Sequence, residues 1–270
     1  MLKKALSTTL IITAFSFQLM SQSIPDSLMF KVGVFKNWFE SKTLQRYYDS
    51  IGMVMPIATF FFLKGNKLDE FYAVTAKHVI QFDSNTARHL RMVFHSKNGI
   101  ESFTWAISTK HSTAISFHSD SLIDLALICA DFLKYYNGTN WFRESDILMK
   151  SELEKVKVGD TVQFIGLYPD SLKSKDIWYW SPAGTFVGIN NPPVLNRDPH
   201  TGFLSKEEIT IKIKEKPGIS GSPVFINYHG KWKILGVINC GDNEYVRCTP
   251  GYKILDAIAT SKIYYQWWKH

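Results

Sequence analysis

Short apolar runs punctuated by turn residues dominate the chain from about residue 55 onward. "MPIATFFFLKG" and "FYAVTAKHVI" are separated by "NKLDE", a spacing that predicts a β-hairpin. "RMVFHSKNGI", "SFTWAIS" and the apolar "SLIDLALICA" continue the series, and a less regular stretch containing "YYNGTNWF" follows. A second series opens at "VKVGDTVQFIGLYPD" and runs through "GTFVGIN", "EEITIKIKE", "SPVFIN" and "WKILGVINC". Apolar positions three and four apart, the mark of a helix, are sustained only in "GYKILDAIATSKIYYQWW". Strands recurring about every ten residues with one terminal helix predict an all-β antiparallel sandwich or barrel. The pattern divides into two β halves with a junction near residues 140–155. No internal repeat or low-complexity linker interrupts it, and the loop "NNPPVLNRDPHTG" reads as exposed.

The first residues follow another pattern. "MLKKALSTTLIITAFSFQLMSQS" has a cationic start, an apolar run and small polar residues at its end, which is a secretory signal. The run is interrupted by Ser and Thr and is short for a transmembrane span, although an uncleaved anchor is the alternative. Cleavage after Ser21 or Ser23 is expected. This assigns residues 1–23 to a signal peptide and 24–270 to a folded domain, secreted or periplasmic, with no stable membrane association once cut.

Composition adds little to this and removes some possibilities. A hydrophobic content of 45% and an aromatic content of 14% can build a sizeable core within 270 residues. Lys and Arg exceed Asp and Glu, 31 against 24, but Lys3 and Lys4 belong to the leader. The remaining lysines are interleaved with acids, as in "LKSKD" and "IKIKEK", unlike a nucleic-acid-binding stripe. Of three cysteines, Cys129 lies in "DLALICAD" and reads as a core residue. Cys240 and Cys248 flank "GDNEYVR" and could close a hairpin with a disulfide. Sequence leaves that bond open, because it cannot supply the Cβ geometry required.

"EKPGISGSPVF", residues 215–225, wraps Ser220 in turn formers between two apolar stretches. It reads either as an ordinary β-turn or as a turn presenting a nucleophile. Nucleophilic serine chemistry needs a base for the hydroxyl proton and a third group to orient that base. His78 closes "AVTAKHV" beside the small Thr75 and Ala76, and Asp124 opens the apolar "DLALICA". Both are placed at strand ends, as Ser220 is. His89, His95, His111, His118, His200 and His229 show no metal-ligand spacing and are expected at the surface. No phosphate loop or metal cluster is present, so neither metal nor cofactor is expected.

"TAKHV", "DLALI" and "GISGSPV" resemble, in order and spacing, the signature segments of trypsin-like (chymotrypsin-fold) serine peptidases. "VKVGDTVQFIGLYP" is similar to a strand of bacterial members, including the Deg-type periplasmic proteases. "ILGVINCG" resembles the strand along which that family binds substrate backbone, and "PGYKILDAI" its run into a C-terminal helix. The likeness covers roughly residues 50–265. It implies two six-stranded antiparallel β-barrels, at about 50–140 and about 155–255, and a terminal helix at about 252–268. It implies a catalytic triad of His78, Asp124 and Ser220, and an oxyanion hole formed by the N–H groups of Gly218 and Ser220. It also implies a specificity pocket walled by Lys214, Ile238, Asn239, Cys240 and Gly241, with Gly251 on the far side. Gly241 and Gly251 would leave an open slot. Lys214 could favour acidic substrate side chains, but "IKIKE" puts it on one strand face with Lys212, more simply a solvated one.

Two departures matter. Members activated by cleavage carry an acid immediately before the nucleophile, to pair with a freed N-terminus; Ile219 cannot do this, so no such zymogen step is expected. Ser222 stands where the motif commonly has glycine, and its small side chain should be tolerated. The expected activity is that of a serine endopeptidase acting on proteins or peptides, as a monomer. The alternative is a catalytically silent trypsin-like β-barrel serving as a binding or scaffold module. An α/β-hydrolase fits poorly, since it needs "GxSxG" and the order Ser, Asp, His.

Overall fold

The computed structural model describes residues 24–37, 56–67, 70–80, 88–96, 99–107, 115–131, 133, 140–167, 179–180, 183–189, 207–213, 219–241 and 244–261. The first half holds β1 (Val32–Asn37), β2 (Pro56–Lys64), β3 (Phe71–Thr75), β4 (Arg88–Ser96), β5 (Gly99–Ile107), β6 (Ile115–Phe117), β7 (Ala126–Cys129) and β8 (Phe142–Arg143). The second holds β9 (Thr161–Phe164), β10 (Gly166–Leu167), β11 (Tyr179–Trp180), β12 (Ala183–Ile189), β13 (Ile209–Lys212), β14 (Pro223–Tyr228), β15 (Lys231–Gly241) and β16 (Tyr245–Pro250). Short helices α1 (Asp26–Met29), α2 (Lys77–Ile80) and α3 (Lys150–Leu153) punctuate the strands, and α4 (Tyr252–Thr260) follows the last one.

The halves are a double barrel of the chymotrypsin type. In the second, β12, β13, β16, β15, β14 and β9 close an antiparallel ring. In the first, one sheet runs β5-β4-β1-β2-β3-β7-β6, with β8 alongside β2. That makes eight strands rather than the six expected, because the short β6 and β8 join it. β1, at Val32–Asn37, also belongs to this sheet, so the first half begins ahead of residue 50. The "NKLDE" hairpin is present, with Lys64 opposite Phe71.

Side chains alternate across a strand, and here both faces are apolar. On β2, Phe60 and Phe62 fill the first half's interior with Phe71, Ala73, Ala126 and Ile128. Phe61 and Leu63 point the other way, into a layer shared with Tyr72, Val74, Leu125 and Leu127. Phe225, Ile234 and Val237 of the second half enter the same layer, as do Ile254 and Ala257 of α4. Val224, Ile226, Leu235 and Ile238 fill the second barrel instead. Continuous runs such as "ATFFFL" and "DLALICA" are therefore strands buried on two sides. Fully burying each such large side chain contributes about 1.5–3 kcal/mol.

The chain enters through this middle layer. Ile24 is buried within it, and its N–H donates to the buried Gln163 Oε1 at 2.9 Å, joining the N-terminal segment to β9. At the other end α4 stops at Thr260, since Ser261 turns extended; residues 262–268 of the expected helix lie outside the described residues. Among the described residues no helix is long and apolar enough to cross a membrane.

Candidate active site

Strand β3 delivers Thr75 to the middle of the molecule, and α2 begins two residues later with His78 in its first turn. Asp124 lies just before β7, buried at 4% exposure. Both its oxygens are engaged by one residue: the His78 backbone N–H donates to Oδ1 at 2.8 Å, and Nδ1 lies 2.6 Å from Oδ2. A carboxylate can only accept, so Nδ1 carries the proton and Nε2 is left as a base. The Asp124 carbonyl is held in turn by the second barrel, where the Thr249 hydroxyl lies 3.5 Å away. With its carboxamide turned so that both ends are satisfied, Asn239 donates to the Asp124 carbonyl at 3.3 Å, and its oxygen accepts from the Thr249 hydroxyl at 2.8 Å and the Thr249 N–H at 3.2 Å.

Ser220 occupies a corner of a four-residue turn closed by the Ser222 N–H donating to the Ile219 carbonyl at 2.9 Å. Gly221 has φ +83°, which is the requirement of a type II turn at its third position. The turn is bonded to both halves. Within its own barrel the Gly221 N–H donates to Ile238 O at 2.8 Å, and the Ile238 N–H to Ser222 O at 3.0 Å. Across the interface the Thr59 N–H donates to Ser220 O at 2.8 Å, while the Thr75 hydroxyl donates to Thr59 O at 2.8 Å. A Cβ on Gly221 would overlap that Thr59 carbonyl and Thr75 hydroxyl. The Ser220 hydroxyl donates to the Asn239 carbonyl at 3.3 Å, and no hydrogen bond joins it to His78 in this arrangement. Among the described residues the Ser220 N–H has no acceptor.

Solved structures that share this fold include protease domains. The MamO protease domain from Magnetospirillum magneticum superposes with a TM-score of 0.51 at 12% identity, covering 85% of this chain and 96% of that one. The active form of the Rv3671c protease from M. tuberculosis gives 0.54 at 14% identity, with 88% and 84% covered. Its inactive form gives 0.51 at 13%, with 87% and 91% covered. The chain has the trypsin-like serine protease fold. No family model and no curated protein matches its sequence, so the likeness lies in the backbone.

Within that fold the pocket residues fall unevenly. Gly218 and Lys214 lie outside the described residues. Asn239 is at the site, through its carbonyl and its side chain. Ile238 supports the serine turn by its backbone while its side chain belongs to the second barrel's interior. Cys240 pairs with Arg247 on β16, on the partly exposed side. Gly241 pairs with Val246, and a Cβ there would meet the Tyr245 carbonyl at 2.5 Å. Gly251 caps the start of α4, its N–H donates to Leu235 O at 2.8 Å, and it stands five residues beyond Val246, about 16 Å along an extended strand.

Two further expectations are corrected. Cys240 and Cys248 form no disulfide. Cys248 pairs with Ile238 and points into the barrel core, while Cys240 lies on the opposite face, so their Cβ vectors diverge. Burial pushes the Cys248 thiol well above its ordinary pKa. His118 is buried, not superficial: its Nδ1 accepts the Asp120 N–H at 3.0 Å, and among the described residues its Nε2 has no partner. Burial, followed by the nearby Lys253 ammonium, lowers its pKa. Ser222 is fully buried, and among the described residues its Oγ has no hydrogen-bond partner.

Sequence reasoning missed Thr59, Gly221 and Thr249. Gly221 carried a usable signal, as a glycine directly after the serine. The two threonines carried none, since each acts on a residue more than a hundred positions away. Among the described residues no three His, Cys, Asp or Glu side chains converge as a metal-ligand set would.

Proposed function

We propose that the protein is an exported serine endopeptidase that needs no N-terminal zymogen cleavage. The observation that carries this reading is the doubly bonded His78–Asp124 pair, set on the half whose strand β2 grips the Ser220 turn. His78 Nε2 takes the Ser220 proton as Oγ attacks a peptide carbonyl, then passes it to the leaving amine. Asp124 holds the imidazole in the required tautomer and stabilises the imidazolium. Water repeats the cycle on the acyl-enzyme and releases the acid. The developing oxyanion is received by the Ser220 N–H, which no described group occupies, and by the Gly218 N–H. One such donor is worth about 2.7–4 kcal/mol, and general-base assistance about 10²–10⁴-fold.

Before this can begin, the Ser220 hydroxyl must leave the Asn239 carbonyl. A substrate lying along β15 brings a backbone N–H that competes for the same oxygen, so binding itself releases the nucleophile. Ile219 is 1% exposed and packs within the second barrel, where it can pair with no freed amine. That supports activity without a zymogen step. The cationic and apolar leader supports export to the periplasm or beyond. The substrate is a protein or peptide, and the enzyme acts as a monomer without metal or cofactor.

The parked serine also favours a second reading, a silent barrel that binds without cleaving. Purified residues 24–270 treated with an organophosphonate distinguish the two. Covalent labelling that disappears in Ser220→Ala is the expected result. Labelling that survives the substitution moves the nucleophile elsewhere, and no labelling of either protein favours the silent barrel.

A further inference from the structure

We infer that Lys77 is a positioning residue: its side chain clamps the loop carrying Asp124, so that the carboxylate keeps its place against His78. This rests on the peptidase reading of the site. Lys77 directly precedes His78 and is only 7% exposed. Burying an ammonium costs several kcal/mol unless it is well partnered, so the position is an uncommon one for lysine. Its Nζ donates to the Ser121 carbonyl at 3.3 Å and stands 5.5 Å from the centroid of the Phe117 ring, within cation–π range. Phe117 ends β6 and Ser121 lies three residues before Asp124.

Consecutive residues of α2 thus hold one loop at two points, Ser121 by Lys77 and Asp124 by His78. The second barrel also reaches the Asp124 carbonyl, through the Thr249 hydroxyl at 3.5 Å, but on the α2 side these two points alone set the loop's direction. Among the described residues its remaining hydrogen bonds are local. The Asp120 N–H donates to His118 Nδ1, the Leu122 N–H to Asp120 Oδ1 at 2.9 Å, and the Ile123 N–H to Asp120 O at 3.1 Å. They set the loop's shape without setting its place beside α2. Small errors of placement at a reacting group can cost as much as 10²-fold in rate, which gives a second tether a function beyond stability.

The test is a kinetic cycle on the full mature chain. Lys77→Met should lower kcat about ten-fold while KM stays within about two-fold, and Lys77→Arg should restore most of the loss. In an Asp124→Asn background, Lys77→Met should change kcat no further, because the group being positioned is gone. A lowered melting temperature with unchanged kcat would show a merely structural lysine and overturn the inference. An equal ten-fold loss in both backgrounds would overturn it too. If Lys77→Met does not fold, Lys77→Gln serves in the same cycle with the same criteria. A wild-type chain that neither labels nor cleaves sinks the peptidase reading and this inference together, whereas a normally labelled wild type with Met indifferent at position 77 sinks this inference alone.

Discussion

A β-carbon at residue 221 has no room, and the left-handed backbone there suits only glycine. Gly221→Ala should cost on the order of 1–3 kcal/mol from backbone strain alone, with overlap against Thr59 and Thr75 adding to it. The expected outcome is a lower urea midpoint together with loss of phosphonate labelling, while far-ultraviolet dichroism keeps its strand signature. Normal labelling would mean that the turn tolerates displacement. At this scale the contact between His78 and Asp124 could be anticipated because each is a polar residue at one end of an apolar run. Gly221 was harder to weigh, because the atoms that exclude a side chain belong to Thr59, far back along the chain. Sequence left the cysteine pair open for a related reason. Their separation suits a hairpin bridge, but the irregularity between Ile238 and Cys240 sets them on opposite faces.

The loop from His118 to Asp124 is a small element with its own titration. Its first residue accepts a backbone N–H two positions on, much as an asparagine does in an Asx-turn. Protonating Nδ1 would set two donors against each other. Burial and Lys253 already disfavour the cation, with Asp256 of α4 and Asp120 of the loop opposing. The folded pKa is lowered, so the unfolded chain binds the proton more readily. The neutral histidine's contribution is therefore complete above the unfolded value of about 6.5 and is lost as pH falls below it toward the folded value. His118→Asn keeps an acceptor without the titration, and its urea midpoint should fall less between pH 8 and pH 5 than the wild type's. Equal falls would remove His118 from the acid response. Among elements generally, strands were easier to place than ends. Two-sided burial makes a run such as "DLALICA" apolar throughout, whereas the stop of α4 at Thr260 interrupts a periodicity that the sequence continues.

Across the whole molecule, what joins the two halves is an apolar layer with aromatic rings in series. Phe61 meets Phe142 at 5.8 Å between centroids, and Phe142 meets Phe225 at 5.5 Å. Phe225→Ala should cost about 3–5 kcal/mol, and because the site spans this layer, labelling should weaken at lower urea than the loss of strand signal. Coincident transitions for wild type and variant would deny the layer that role. Two β halves were readable from strand spacing and their double-barrel form from the family resemblance, yet the assignment of β1 was not, since "VGVFKN" is short and far from the runs that it joins. Sequence order and contact order diverge widely here. Ile24 waits for Gln163, 139 residues on, and the Asp124 carbonyl for Thr249, 125 residues on. A nascent chain leaving the ribosome amino end first thus cannot bring residues 124 and 220 to their final places until nearly all of it has been made, so the geometry of the site is among the last things that folding completes.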